Sequence, residues 1–488
     1  MIITNNIETN NQGVYNKRWL ILIVLNVFTF MSTLDGSIVN MALPTISQTL
    51  GLTLSKSQWI VSIYLMAICM AILFFGKLGD IYGKVKIFKY GAIIFIIGSF
   101  LCGLSHSLFF LLFSRFIQAI GASMTMANSQ GIVTEIFPPK ERGKALGIIG
   151  TFVSLGSIAG PSLGGIILSS LGWEYIFWLN IPIGIIAIPL AWRLLPADRI
   201  ITKTKIDVPG SLLFAISILL LFAALLLGQQ IGYMNKWIIL SFVFGIISFA
   251  IFIIMETKSS SPMLHLSIFK NSLFSISIFC GFLVFVVNFC FNILAPFYTQ
   301  NILGLSPLHA GYLLMLFPIT MAIVAPLSGS LSDKIGGQII TFAGLLLLVA
   351  AQIGLTFLHE NSSLAIVALL IILSGASSGL FQSPNNSLVM STVPKQQLGI
   401  AGSINSLVRN LGMIVGISLA TSTLFSVMSM KAGYRVTALI PDRPDIFLDG
   451  MHVVFIGSSI LCLLAASCTG WRWFSSLKKE KHQQKKAS

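Results

Sequence analysis

Asp35 lies inside an otherwise apolar run, WLILIVLNVFTFMSTLDGSIVNMALP, near the start of the chain. A carboxylate at the centre of a membrane span costs about 2.5–3.5 kcal/mol on insertion scales, and such residues by default serve a function. The chemistry open to a lone buried carboxylate is the binding and release of a proton. Asp35 is also the only acid that falls deep within an apolar run; Glu135, Asp207 and Glu256 fall at the ends of such runs. Arg115, within LFFLLFSRFIQAIGA, is a cation in a comparable setting. On a helix rising from Trp19, Asp35 is 16 residues along, about 24 Å at the helical rise. On a helix descending from Leu108, Arg115 is seven residues down, about 10 Å, which leaves it about 20 Å from the inner face of a ~30 Å hydrocarbon core. The two depths agree, so an ion pair is expected. Burial disfavours an ionised carboxylate and a nearby guanidinium favours it, so the proton on such a group follows conformation. Two readings stay open: a proton-coupling pair, or a purely structural one.

Other polar groups suit the binding of a small molecule. In CGFLVFVVNFCFNILAPFY, Asn288 and Asn292 are four residues apart and share a helical face with Phe285. Such a face fits amphipathic, aromatic compounds; it also fits phenylalanines turned to lipid with asparagines bonding between helices. Arg409, flanked by Asn405 and Asn410, is either a site residue or a helix-end anchor. With no second deep acid, the expected cargo is monocationic, zwitterionic or neutral, with few protons moved per cycle. Asp35 then has to serve proton and cargo by direct competition.

These residues need long apolar helices to hold them. The chain has 488 residues, 55% hydrophobic and 9% charged, against about 25% charged in soluble domains. The apolar runs are long and uniform, which points to an all-α polytopic membrane protein and not a barrel. Fourteen spans are read: 19–43, 57–76, 88–106, 108–130, 144–168, 174–194, 208–229, 237–255, 272–298, 309–331, 337–358, 363–388, 398–426 and 450–472. The first, about 25 residues with no A-x-A-like site after it, reads as a retained span and not a leader. With both termini in the cytoplasm, 23 Lys/Arg lie inside and five (Lys56, Lys236, Lys431, Arg435 and Arg443) lie outside, as the positive-inside rule requires. The net charge of +15 is spread over short loops and a basic tail, so it indicates a membrane surface and not nucleic acid. The six cysteines fall within apolar spans, so neither disulfides nor a metal site are expected.

The chain repeats itself. GKLGDIYGKVK (76–86) and GSLSDKIGGQI (329–339) both fit G-x-L-x-D-x-x-G, sit between two spans, and are 253 residues apart. Gly156/Gly160 and Gly412/Gly416 are small-x-x-x-small pairs 256 residues apart. Duplicated halves are the architecture of alternating-access transporters. The expected organisation is a tail (1–16), a six-helix bundle (17–195), a linker with two extra helices (196–271), a second six-helix bundle (272–474) and a basic tail (475–488).

Over residues 17–475 the sequence resembles the major facilitator superfamily, in its fourteen-helix drug:proton antiporter branch. LDGSIVNMALPTI (34–46) looks like the branch's first-helix signature, with Asp35, Asn40 and Pro44 in place. Gly76, Leu78, Asp80 and Gly83 match the loop signature G-x-L-x-D-R-x-G-R-K, and Asp333 takes the acidic place in the second copy. Here Ile81 replaces the first arginine and Lys84 the second, so Lys84 or Lys86 is expected to take over the charge pairing by which this loop gates transport. For Asp80 itself, gating and helix capping are compatible. RFIQAIGA (115–122) resembles the helix-4 signature, with Arg115 and Gln118 present and Ala119 in place of a glycine. GSIAGPSLGG (156–165) matches the antiporter signature G-x-x-x-G-P-x-x-G-G through Gly156, Gly160, Pro161, Gly164 and Gly165. Its glycines allow close helix approach and its proline removes a backbone donor. WEYIFWLNIPIG (173–184) and RNLGMIVG (409–416) also resemble the branch.

The resemblance implies a proton-coupled multidrug exporter of a bacterial cell membrane. Asp35 and Arg115 would couple to protons, and Asp35, Gln118, Phe285, Asn288, Asn292 and Arg409 would meet cargo. A metabolite symporter, a lipid or cell-wall-precursor flippase, and a membrane receptor are the rivals. No nucleotide-binding loop is present, so neither ATP as driving force nor an enzyme is expected, and no catalytic residue, cofactor or metal is assigned. The expected partners are drug-like small molecules, protons and the bilayer, with the monomer as the working unit.

Overall fold

In the computed structural model the described residues are 15–487 apart from 53, 199–205, 260–261, 263, 265, 395–396, 435, 437–439 and 441–442. The first fourteen residues and Arg199, Lys203, Lys205, Lys395 and Arg435 of the charge count therefore lie outside the described set. Every regular element among the described residues is helical. This is what long apolar runs dictate, because lipid offers no partner for backbone N–H and C=O groups.

The spanning helices are α1 (Arg18–Thr49), α2 (Leu54–Tyr82), α3 (Lys84–Gly103), α4 (Leu108–Ile136), α5 (Pro139–Ser170), α6 (Asn180–Leu194), α7 (Val208–Ile231), α8 (Lys236–Lys258), α9 (Ser272–Phe297), α10 (Leu316–Ile335), α11 (Gly337–Leu355), α12 (Leu364–Ser391), α13 (Leu398–Ala432) and α14 (Pro444–Ala487). Thirteen helices among the described residues are long and apolar enough to cross a membrane. The expected fifth span lies in α5, a 32-residue helix rich in glycine and serine. Several helices outrun the apolar runs that predict them. α14 reaches Ala487 and α2 reaches Tyr82, because beyond the hydrocarbon a helix can continue on charged residues.

The chain packs as two units. One holds residues up to Ile268 with Val393–Leu407; the other holds Phe269–Thr392 and the chain from Val408. In the first, α1 packs on α5, α2 on α4, α3 on α4 and on α6, and α7 on α8 and α2. In the second, α10 packs on α12, α11 on α12 and on α14, and α9 on α14. Adding eight to α2–α4, α3–α4 and α3–α6 gives α10–α12, α11–α12 and α11–α14, so the repeat read from the loops extends to these pairings.

The two loops repeat in backbone as well. Gly83 (φ +108°, ψ +126°) separates α2 from α3, and Gly336 (φ +95°, ψ +140°) separates α10 from α11. Both φ values are ones that side chains oppose. The glycine pairs also do the same work in both halves. A Cβ on Gly156 or Gly160 would lie 2.8 Å from the Phe30 carbonyl or the Ile38 amide of α1. A Cβ on Gly412 would lie 2.7 Å from that of Phe285, and one on Gly416 2.5 Å from the Val286 carbonyl, both on α9. Pro161 and Gly165 are in α5 with them, but their surroundings lie outside the described set, as do those of Asn40 and Pro44 in α1.

Candidate functional site

Asp35 and Arg115 meet inside the first unit, and both are fully buried. Arg115 Nη1 donates to Asp35 Oδ2 and, at 2.7 Å, to Gln118 Oε1. Gln118 Nε2 returns a hydrogen bond of 2.8 Å to Asp35 Oδ1 and another of 2.8 Å to Ser99 Oγ on α3. Asn180, at the start of α6, points its amide nitrogen at Asp35 Oδ1 (3.5 Å) and Ser99 Oγ (3.3 Å). Arg115 Nε donates to the Ile60 carbonyl of α2 at 3.1 Å. The guanidinium carbon lies 4.2 Å from the ring centroid of Tyr64 and 5.5 Å from that of Phe177, within cation–π range. Tyr64 Oη in turn donates to the Ser32 carbonyl of α1 at 3.2 Å.

Five helices thus converge on one ion pair. They can approach because small residues line their contacts: a Cβ on Gly98 of α3 would lie 2.5 Å from the backbone of Gln118. Burying two ions costs several kcal/mol each unless the remaining lone pairs and protons are satisfied, and here nearly all are. The exception is Arg115 Nη2, sealed from solvent with no partner among the described residues. Ser99, Asn180 and Tyr64 are members that the sequence reading did not name. Asn180 sits in the quoted WEYIFWLNIPIG run, and an amide at the head of an apolar span was the available signal.

A second cluster surrounds the α2–α3 loop. Asp80 accepts from the backbone N–H groups of Gly399 and Ile400, both at 3.0 Å, and so caps the start of α13 from another helix. Lys84 Nζ bridges Asp80 (3.0 Å) and Glu135 (2.9 Å), while Lys86 is exposed. Gly76 and Gly399 let the helices touch; a Cβ on Gly399 would lie 2.9 Å from the Gly76 carbonyl. Asp198, just past α6, accepts from Val85 N (2.8 Å) and Lys86 N (2.7 Å) and caps α3 in the same way. Its position in another segment hid it from the sequence reading. In the second copy of the loop, Asp333 occupies the turn before Gly336 and is half-buried.

In the second unit, Asn288 Oδ1 accepts from Ser378 of α12 at 3.1 Å, whereas Asn292 one turn on is exposed and Phe285 is half-buried against Gly412. The predicted Asn/Phe face is therefore packed at one end and open at the other. Arg409 is not a helix-end anchor: it lies eleven residues after Leu398 and is 7% exposed.

The Major Facilitator Superfamily profile matches residues 25–417. The riboflavin transporter RibZ of Clostridioides difficile is 38% identical over 447 residues, which cover 90% of this chain and 96% of that one. The multidrug resistance protein Stp of Mycobacterium tuberculosis is 30% identical, over 93% of this chain and 92% of its own. Among solved structures, the human organic anion transporter MFSD10 superposes with a TM-score of 0.61 at 18% identity, covering 94% of this chain and 99% of that one, a likeness of fold. Family profile, relatives and the doubled helix packing agree: this chain is a multi-pass transporter of the major facilitator superfamily.

Proposed function

We propose that the protein is a proton-coupled efflux antiporter that works by alternating access in a bacterial cytoplasmic membrane, with both termini in the cytoplasm. Its cargo is amphipathic and monocationic, zwitterionic or neutral. The observation that carries this reading is the sealed Asp35–Arg115 pair. Protonating Asp35 leaves Arg115 buried without its counter-charge, and removing one partner of a buried pair costs about 3–5 kcal/mol. Moving a two-state equilibrium from 1:99 to 99:1 takes about 5.5 kcal/mol. One proton therefore supplies most of what a change of facing state requires. Asp35 is 1% exposed and both its oxygens are engaged, so cargo reaches the carboxylate only once the network has opened. The Asp80 cap and the Lys84 bridge are the contacts this reading assigns to the cytoplasmic gate. Multidrug-named relatives at about 30% identity favour export of drug-like compounds.

The test is Asp35→Asn in inside-out membrane vesicles loaded with a fluorescent amphipathic cation. Proton-driven accumulation should vanish while passive exchange remains; accumulation at the normal rate would refute the coupling role. Whole-cell ethidium efflux with and without an uncoupler separates a proton-driven exporter from a flippase or receptor. The 38%-identical riboflavin transporter supports a second reading, a heteroaromatic metabolite as cargo, which labelled riboflavin in the same vesicles decides.

A further inference from the structure

Arg115 and Arg409 are both buried within apolar helices, and they are treated differently. Arg115 has a carboxylate, an amide oxygen, a carbonyl and two aromatic faces around it. Arg409 is also more than nine-tenths buried, yet no hydrogen-bond acceptor or acid meets it among the described residues. The sequence explains the difference. None of the six spans of the C-terminal half, 272–298, 309–331, 337–358, 363–388, 398–426 and 450–472, contains an aspartate or glutamate. A buried guanidinium without a counter-ion is costly, and an anion from outside the chain would offset that cost.

The packing shows what lies at its height. Gly412, three residues on, sits against Phe285 and the Phe282 carbonyl of α9, and Gly416 against Val286. Arg409 shares that face, about one turn below. On α12, Ser378 reaches Asn288 and Asn385 reaches the Ser277 carbonyl, which puts Gln382 between them at nearly the same height on α9. Gln382 is also 7% exposed and meets no hydrogen-bond partner among the described residues. A fork of guanidinium donors with a free amide near its level is the donor set that recognises a planar oxyanion. Arg409 lies about 16 Å into α13, too deep for a lipid headgroup.

We infer that Arg409, supported by Gln382, is the subsite of the second unit for a carboxylate or comparable oxyanion on an amphipathic cargo. This rests on the transport reading and narrows it: among the charge types proposed, compounds bearing an acid group are preferred, and the zwitterion is the best fit.

A zwitterionic rhodamine with a free carboxyl and its methyl ester form the test pair. Binding to the purified full-length protein in detergent is read by fluorescence anisotropy, and transport in proteoliposomes. The wild type should bind the acid several-fold more tightly than the ester. Arg409→Gln should weaken the acid by about tenfold or more and the ester by less than twofold, with Arg409→Lys recovering part of the loss. Equal weakening of acid and ester, no weakening of either, or a wild type that prefers the ester overturns the subsite. Should the variant fail to fold, the wild-type preference still decides. Arg409-dependent binding of the acid without any transport would leave the subsite standing and remove the transport reading.

Discussion

Gly83 and Gly336 offer a controlled comparison, because they share a backbone conformation and differ in what surrounds them. Gly336→Ala meets only backbone strain: at φ +95° the residue is in a region that side chains avoid, and no atom lies within 4 Å of the new Cβ. The expected cost is about 1–3 kcal/mol. Gly83→Ala carries the same strain at φ +108° and also drives its Cβ onto the Asp198 side chain, whose Cβ would be 2.6 Å away. Asp198 must move, and with it the hydrogen bonds to Val85 N and Lys86 N at 2.8 and 2.7 Å. Losing one charge-assisted bond of this kind adds about 1.5–3 kcal/mol, taken at its lower end because Lys86 is exposed. Gly83→Ala should thus cost about 2.5–4.5 kcal/mol, roughly 1.5 more than Gly336→Ala. In an Asp198→Ala background the excess should disappear, since the cap is already gone. The assay is denaturant unfolding in detergent for the two alanine variants, Asp198→Ala and the double variant. Equal costs at the two glycines, or an excess that survives the removal of Asp198, would refute the capping argument.

Two further outcomes follow from the geometry. Asp80→Asn removes the negative charge that faces the Gly399 and Ile400 amides and Lys84, so hydrogen exchange in the first turn of α13 should quicken about tenfold or more, while the interior of α12 stays unchanged. Arg115→Lys keeps the charge but cannot reproduce the fork that serves Asp35, Gln118 and the Ile60 carbonyl together; proton-driven transport in vesicles should fall at least tenfold, and transport within twofold of wild type would contradict the positioning role given to the guanidinium.

Depth could be read from the sequence because helical rise is constant. Counting from Trp19 and Leu108 was enough to bring Asp35 and Arg115 to one level, and they touch. Lateral neighbours were not legible. Nothing in the periodicity of α3 or α6 says that Ser99 and Asn180 turn toward the same carboxylate, since apolar spans carry little contrast between faces. The repeat was legible in its loops, where glycine and aspartate are scarce and their spacing is therefore informative. Its extension to helix pairings was carried by Gly156, Gly160, Gly412 and Gly416. Capping was an open reading for Asp80, but that it caps α13 was not legible, and capping by Asp198 escaped notice, because cap and helix lie far apart in the chain, whereas sequence rules describe caps that precede their own helix.

The charge balance of the buried groups has an electrical consequence. With Asp35 ionised, it and Arg115 sum to zero, and the transmembrane voltage exerts no net pull on them. With Asp35 neutral, Arg115 becomes one elementary charge inside the field, worth about 2.3 kcal/mol per 100 mV if carried across the full thickness. Arg409 behaves in the opposite sense, being a net charge when alone and none when an oxyanion sits on it. Voltage therefore acts on occupancy: a proton in the first unit adds a charge to the field, and an acid group in the second takes one away.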